Sequence, residues 1–230
     1  MWSPRFWSNG GKMAEPELIV EQEFQYSSLY DQAQTSVIGM WLFLAQETVF
    51  FGGLFLTWIY SRYWNQAGFD AGSHGAQLWI GSINLGILVT SSFVYACALA
   101  FIQAGRPREM TWALCGVVAL GVAFIGWKMY EYHLDFVGHF WVNDPDFPIK
   151  GELEGGAKLF WAFYWAGTIL HAAHMTIAMG LVTYVIRRGL RGDFTAQYHT
   201  PVEVIGLFWS FVDIVWMILW PLIYLMGRMP

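Results

Sequence analysis

Charge is scarce in this chain. Asp, Glu, Lys and Arg together make up 13% of its 230 residues, against the ~25% of an ordinary soluble domain. The net charge of −5 is spread thinly and leaves no basic stripe, which argues against nucleic acid as a partner. Cysteine is rare too. Cys97 and Cys115 both lie inside apolar runs, form no Cys-x-x-Cys pair and imply no disulfide framework. They read as small buried hydrophobes. The closely spaced thiolates of a dinuclear copper site are missing, and so is the Cys-x-x-Cys-His of c-type haem attachment. No Glu-x-x-His occurs, which removes the di-iron carboxylate bundle. Only His171 and His174, of six histidines, fall inside apolar windows. That is too few imidazoles for a chain holding two haems and a copper. No internal repeat argues for transport by inverted halves. Residues 1–35 lack the apolar core of a signal peptide, and Glu15, Glu17, Glu21, Glu23 and Asp31 crowd them. They read as an extramembrane arm that becomes ordered against a partner.

Apolar residues, in contrast, make up 56% of the chain, including 14 Trp. A spanning helix needs roughly 20 mostly apolar residues, because the hydrocarbon core is ~30 Å thick and each residue rises ~1.5 Å. Five windows qualify: 36–60, 78–104, 111–130, 159–186 and 203–226. The expected fold is all-α, a polytopic membrane protein whose residues 36–230 form a bundle of five transmembrane helices. Aromatic residues cluster at window ends: Trp58, Tyr60, Tyr63 and Trp64; Trp79; Trp127 and Tyr130; Trp161 and Trp165; Trp220 and Tyr224. Such rings favour the headgroup level, and all five clusters share one side if the helices alternate. Arg106 and Arg108 occupy the tight turn after the second window, and Arg187, Arg188 and Arg191 follow the fourth. The stretch after the third window is acidic, with Asp135, Asp144, Asp146, Glu152 and Glu154. The positive-inside rule then places the N-terminus in the cytoplasm and the C-terminus in the periplasm. Gly52, Gly53, Gly81, Gly86, Gly116, Gly121 and Gly126 are available for close helix packing.

Ionisable groups at membrane depth cost ~2.5–3.5 kcal/mol each on insertion scales when unpaired. Glu47, His171, His174 and Asp213 fall near mid-window on three helices, so a mutually satisfied polar network is expected there. Glu47 reads either as a hydrogen-bonded carboxyl or as a group concerned with proton or gas traffic. His171 and His174, three residues apart, share a helix face and are expected to hydrogen-bond between helices without metal. Asp213 is expected to pair with Ser210, Trp209 or a histidine of the fourth span. Glu131 and Glu203, at window ends, suit helix capping or contact with a partner. Arg188 and Arg191 are placed to meet lipid phosphates.

These residues carry a family resemblance. Met40-Trp41-Leu42-Phe43-Leu44-Ala45-Gln46-Glu47, with Phe50-Phe51-Gly52, resembles the Glu-bearing helix of haem-copper oxidase subunit III. Asn84-Leu85 fits the start of that family's next helix, and Lys128-Met129-Tyr130-Glu131-Tyr132 looks like its Glu-Tyr stretch. His171-Ala172-Ala173-His174 matches its His-x-x-His helix. Phe208-Trp209-Ser210-Phe211-Val212-Asp213-Ile214-Val215-Trp216 is similar to its closing signature, with Ser210 where the family has His. The likeness covers 36–228 and matches the short five-helix form of bacterial quinol oxidases.

The resemblance implies a subunit III of a respiratory haem-copper terminal oxidase, in which oxygen reduction is coupled to proton translocation. Such a subunit is not itself catalytic and binds no cofactor. Haem and copper sit in partner subunits, chiefly the catalytic subunit I, with phospholipid against the chain. It supports proton uptake, stability, and lipid or oxygen access, and Glu47 matches a carboxylate that reacts with carbodiimide. The implied location is the bacterial cytoplasmic (inner) membrane. The alternative within the family is an accessory subunit of nitric oxide reduction. A small transporter or membrane metalloenzyme outside it fits the motifs less well.

Overall fold

The structure is a computed structural model that describes residues 28–228. Among them are six α-helices: α1 (Leu29–Trp64), α2 (Gln66–Gly75), α3 (Leu78–Gln103), α4 (Pro107–Val137), α5 (Glu154–Arg191) and α6 (Thr200–Trp220). All but α2 are long and apolar enough to cross a membrane. The five expected spans are therefore all present, and no strand occurs among the described residues. The larger part of the expected 1–35 arm lies outside the described residues.

Helix ends follow local chemistry. α1 begins at Leu29 rather than at Ser36, because the Ser28 side chain accepts from the Asp31 N–H at 3.1 Å and Asp31 sits in the first turn. Pro107 opens α4, where its missing N–H costs nothing. Gly192 ends α5 in the left-handed region, φ +84°, so its N–H returns to the last turn. Pro221 cannot continue α6 regularly, since it lacks an N–H and its ring crowds the preceding turn. The chain widens there into one π-turn, with the Met226 N–H reaching the Pro221 carbonyl. This widening swings Tyr224 fully into the core.

α2 was not anticipated: ten residues lying across the bundle end where α1, α4 and α6 finish, here termed the aromatic end. Gly68 of α2 meets Gly156 of α5 so closely that a Cβ on Gly68 would lie 2.6 Å from the Gly156 Cα. The C-terminal turn clamps α2 from the other side. Arg62 binds Asp70 at 2.7 Å and the Met226 carbonyl at 3.1 Å, while Arg228 donates to the Ala76 carbonyl at 2.7 Å.

The aromatic clusters divide. Tyr60, Tyr63, Trp64, Trp79, Trp127 and Tyr130 are exposed as an interfacial belt requires, but Trp58, Trp161, Trp165 and Tyr224 are core residues. They are buried because α2 and the 138–150 loop cover this end: Phe140 stacks on Trp161 at 4.4 Å and Phe69 meets Trp58 edge-on. The glycines divide too. Gly81 lies under Tyr224 and Gly121 under Met179, but a Cβ at Gly52, Gly53, Gly86 or Gly126 would touch nothing within 4 Å.

These differences give opposite expectations for two substitutions. Gly68→Ala should cost about 1–3 kcal/mol by overpacking against backbone. Gly126→Ala should be neutral or stabilising by up to about 1 kcal/mol, because alanine favours the helix. Thermal unfolding of the detergent-solubilised protein compares them, and a Gly68→Ala protein as stable as wild type would contradict the packing described.

Candidate functional site

The polar residues at mid-depth form separate pairs rather than one network. Glu47 on α1 and His174 on α5 come together, Oε2 to Nε2 at 3.2 Å. His174 Nδ1 donates to the Leu170 carbonyl at 2.8 Å, which leaves Nε2 facing the carboxyl with its lone pair. A hydrogen bond between Nε2 and Oε2 then needs a proton lying on one of those two atoms, so the contact is itself a place that holds one proton. Phe51 packs edge-on to the His174 ring at 5.1 Å and fixes its plane. The side chains of Glu47 and His174 keep 13% and 17% of their surface exposed. The pair is thus reachable from the outer face of the α1–α5 groove.

His171, on the same helix, does not join it. Its ring sits between Phe124 at 5.5 Å and Trp216 at 4.9 Å, and neither nitrogen has a partner among the described residues. Three residues of helix turn it by about 300°, into the bundle rather than toward α1. Asp213 pairs with neither Ser210, Trp209 nor a histidine. Its Oδ2 accepts from the Ser92 hydroxyl of α3, while Trp209 donates to Ser91 at 3.2 Å and Ser210 is exposed. α6 presents Asp213 and Trp209 to α3, and Ser210, one residue on, points outward.

Glu131 is neither a helix cap nor a partner contact. α4 runs on to Val137, so Glu131 lies more than a turn inside it and is fully buried. It belongs to a polar cluster that the sequence reading missed. Lys128 Nζ donates to Glu131 Oε2 at 2.9 Å, to the Tyr224 hydroxyl at 3.1 Å and to the Tyr164 hydroxyl at 3.2 Å. All three ammonium hydrogens are used. Tyr224 donates to Glu131 Oε1 at 2.6 Å, which completes the carboxylate. The Tyr164 hydroxyl donates in turn to Asp135 Oδ2. Asp135, expected in the acidic loop, is therefore a buried residue of α4. The rings of Tyr132, Tyr164 and Trp216 stand 5.0, 4.6 and 5.3 Å from the Lys128 nitrogen, close enough for cation–π attraction. The spacing of 128, 131 and 135 puts all three on one helix face, the one signal that could have found them.

Glu203 lies in the first turn of α6 and pairs with His199 at 3.1 Å. Arg188 is held by Asp193 at 2.9 Å and lies over the Phe194 ring, whereas Arg191 is exposed. His174 has both nitrogens engaged and His171 is enclosed by rings. Among the described residues, three or more His, Cys, Asp or Glu donors converge only in the loop, at exposed His139 and Asp146 with half-buried Asp144 between them. There Asp144 accepts from the Asp146 N–H at 2.9 Å and pairs with His139 at 3.0 Å. The backbone bond first, and His139 second, hold the Asp144 carboxyl below its usual range.

Comparison with known proteins agrees with the residue pattern. The family model of cytochrome c oxidase subunit III matches residues 17–228. The chain is 31% identical over 199 residues to cytochrome c oxidase subunit 3 of Bacillus subtilis, covering 85% of this chain and 88% of that protein. It is 30% identical over 193 residues to the protein of that name from Thermostichus vulcanus, covering 84% and 88%. To the cytochrome bo(3) ubiquinol oxidase subunit 3 of Pseudomonas aeruginosa it is 26% identical over 200 residues, covering 87% and 89%.

The buried cluster makes a stability prediction. Lys128→Met strands Glu131 without its counter-charge and should cost about 3–5 kcal/mol. Lys128→Met combined with Glu131→Gln removes both charges and should recover much of that loss. Denaturation of the two variants in detergent decides it. A single variant no worse than the double would show that the pair carries no such coupling.

Proposed function

Because the chain belongs to the cytochrome c oxidase subunit III family, we propose that it works as the non-redox partner of the catalytic subunit I of a haem-copper terminal oxidase, supporting proton uptake and the working lifetime of that subunit. The observation that carries this reading is the family match across all five spans, with Glu47 and His174 forming one proton-holding contact at mid-depth. The chain is a multi-pass membrane protein and a subunit III component of a haem-copper oxidase. In our reading it resides in the bacterial cytoplasmic membrane with its N-terminus inside. Haem and copper belong to the partner polypeptides. Phospholipid lies against the exposed spans, with Arg191 toward its phosphates and Arg188, paired with Asp193, beside it. Matches named for both cytochrome c and ubiquinol oxidases leave the electron donor open.

Chemically, the Glu47–His174 pair can take up or release a proton, but it has no route to accept electrons. A group of this kind tunes chemistry in a neighbour and does not perform it. The pair is mostly buried, and the 13% and 17% of its side chains left open at the α1–α5 groove can be met by a partner surface.

Two expectations test this. Affinity purification of the tagged chain from native membranes should recover a polypeptide bearing haem, seen in the reduced-minus-oxidised spectrum. Isolation as a haem-free oligomer would overturn the assignment. Glu47→Gln keeps a side chain able to donate to His174 Nε2, so assembly and haem content should stay normal. Initial oxygen reduction should fall only partly, with proton-pumping efficiency or turnover lifetime falling more. Complete loss of oxygen reduction in a fully assembled Glu47→Gln complex would contradict a supporting role.

A further inference from the structure

α1 is the least packed of the spans: it touches α5 and α6 along one side, with a small contact to α2. The centre of its outward face is marked by Leu42, Val49 and Leu56, whose exposure lies between 69% and 77%. Gly39, Gln46 and Gly53 interleave with them and are exposed as well. Positions 39, 42, 46, 49, 53 and 56 alternate in steps of three and four. That is the a/d seam of a heptad, the pattern that seats a second helix with left-handed crossing. The seam covers about 26 Å, close to the thickness of the hydrocarbon core.

Two features of this seam have no use among the described residues. A Cβ at Gly39 or Gly53 would meet nothing within 4 Å, so the fold does not require glycine at either place. Glycine nevertheless weakens a helix relative to alanine, whereas in membranes it permits close approach of a neighbouring helix. Gln46 is the second. It lies at the middle of α1, beside Glu47. Glu47 turns inward to His174, and Gln46, about 100° further round, turns out and forms no hydrogen bond with a described residue. Its carboxamide offers two donors and two acceptor lone pairs at the depth where no water is at hand.

Acyl chains would satisfy Leu42, Val49 and Leu56 but give Gln46 nothing. A second copy of α1, docked in parallel, would set Leu42 on Leu42 and Leu56 on Leu56. Those layers hold the axes 8–10 Å apart and leave voids where glycine would face glycine. A different helix can place large side chains over Gly39 and Gly53 and a polar one opposite Gln46. We propose that the Gly39–Leu56 seam of α1 docks one transmembrane helix of another oxidase subunit, which presents a hydrogen-bonding side chain to Gln46 at mid-membrane. The identity of the other polypeptide rests on the oxidase reading; the seam itself rests on exposure and spacing.

The test uses the assembled complex in native membranes. A benzophenone-bearing residue is introduced at Leu42, Val49 or Leu56, the membranes are illuminated, and the adducts are identified by mass spectrometry. All three positions should label one transmembrane segment of a different polypeptide. Gln46→Leu and, separately, Gly53→Leu should each lower retention of that polypeptide on purification by roughly threefold to tenfold, with this chain's own thermal stability unchanged. Labelling of lipid alone, or only of a second copy of this chain, would overturn the proposal. Haem measured in the same preparation separates the two failures. Haem-bearing complexes with lipid-only labelling reject the seam and leave the oxidase reading standing, and haem-free preparations reject both.

Discussion

The aromatic end of this molecule depends on one buried ion pair. Lys128 and Glu131 lie three residues apart on α4 with 1% and 0% of their side chains exposed. Taking both charges out of water costs several kcal/mol per ion, and the surroundings must offset that. They do so through the hydroxyls of Tyr164 and Tyr224 and the faces of three aromatic rings. Each of those residues comes from a different element. Tyr164 brings α5 against α4, and Tyr224 brings the π-turn after α6. With Tyr224 in place, the turn that follows carries Arg228 to the Ala76 carbonyl at the end of α2 and the Met226 carbonyl to Arg62 of α1. The pair therefore ties Tyr224, and with it the 221–228 segment, to α4.

The mid-depth layer obeys the same accounting on a smaller scale. Glu47 finds His174, Asp213 finds Ser92, and Ser91 meets Trp209. Each carboxyl is met by one side chain from a neighbouring helix, so helix packing and polar satisfaction are the same event. Of these contacts, the Glu47–His174 pair alone joins two titrating groups and retains access to the exterior. The pair lies on the helix whose outer face is least covered.

The number and order of the spans, the acidic stretch after the third and the mid-depth carboxyls were legible in the sequence, because each depends on composition along one segment. Five apolar windows of spanning length leave few other folds, since unpaired backbone polar groups cannot be tolerated in hydrocarbon. The family motifs, short and consecutive, were legible for the same reason, down to Ser210 in place of a histidine. The tertiary structure alone decided which polar groups meet. Rotation about a helix axis separates His171 from His174 and Asp213 from Ser210, and apolar sequence on every side of a span gives no hint of that rotation. It also decided that Glu131 and Asp135 are buried, because α4 extends about two further turns beyond its apolar window, and that Trp58, Trp161 and Tyr224 belong to the core. Those three are covered by α2, the 138–150 loop and a turn made by Pro221, and a residue's neighbours across the bundle exist only once the chain has folded.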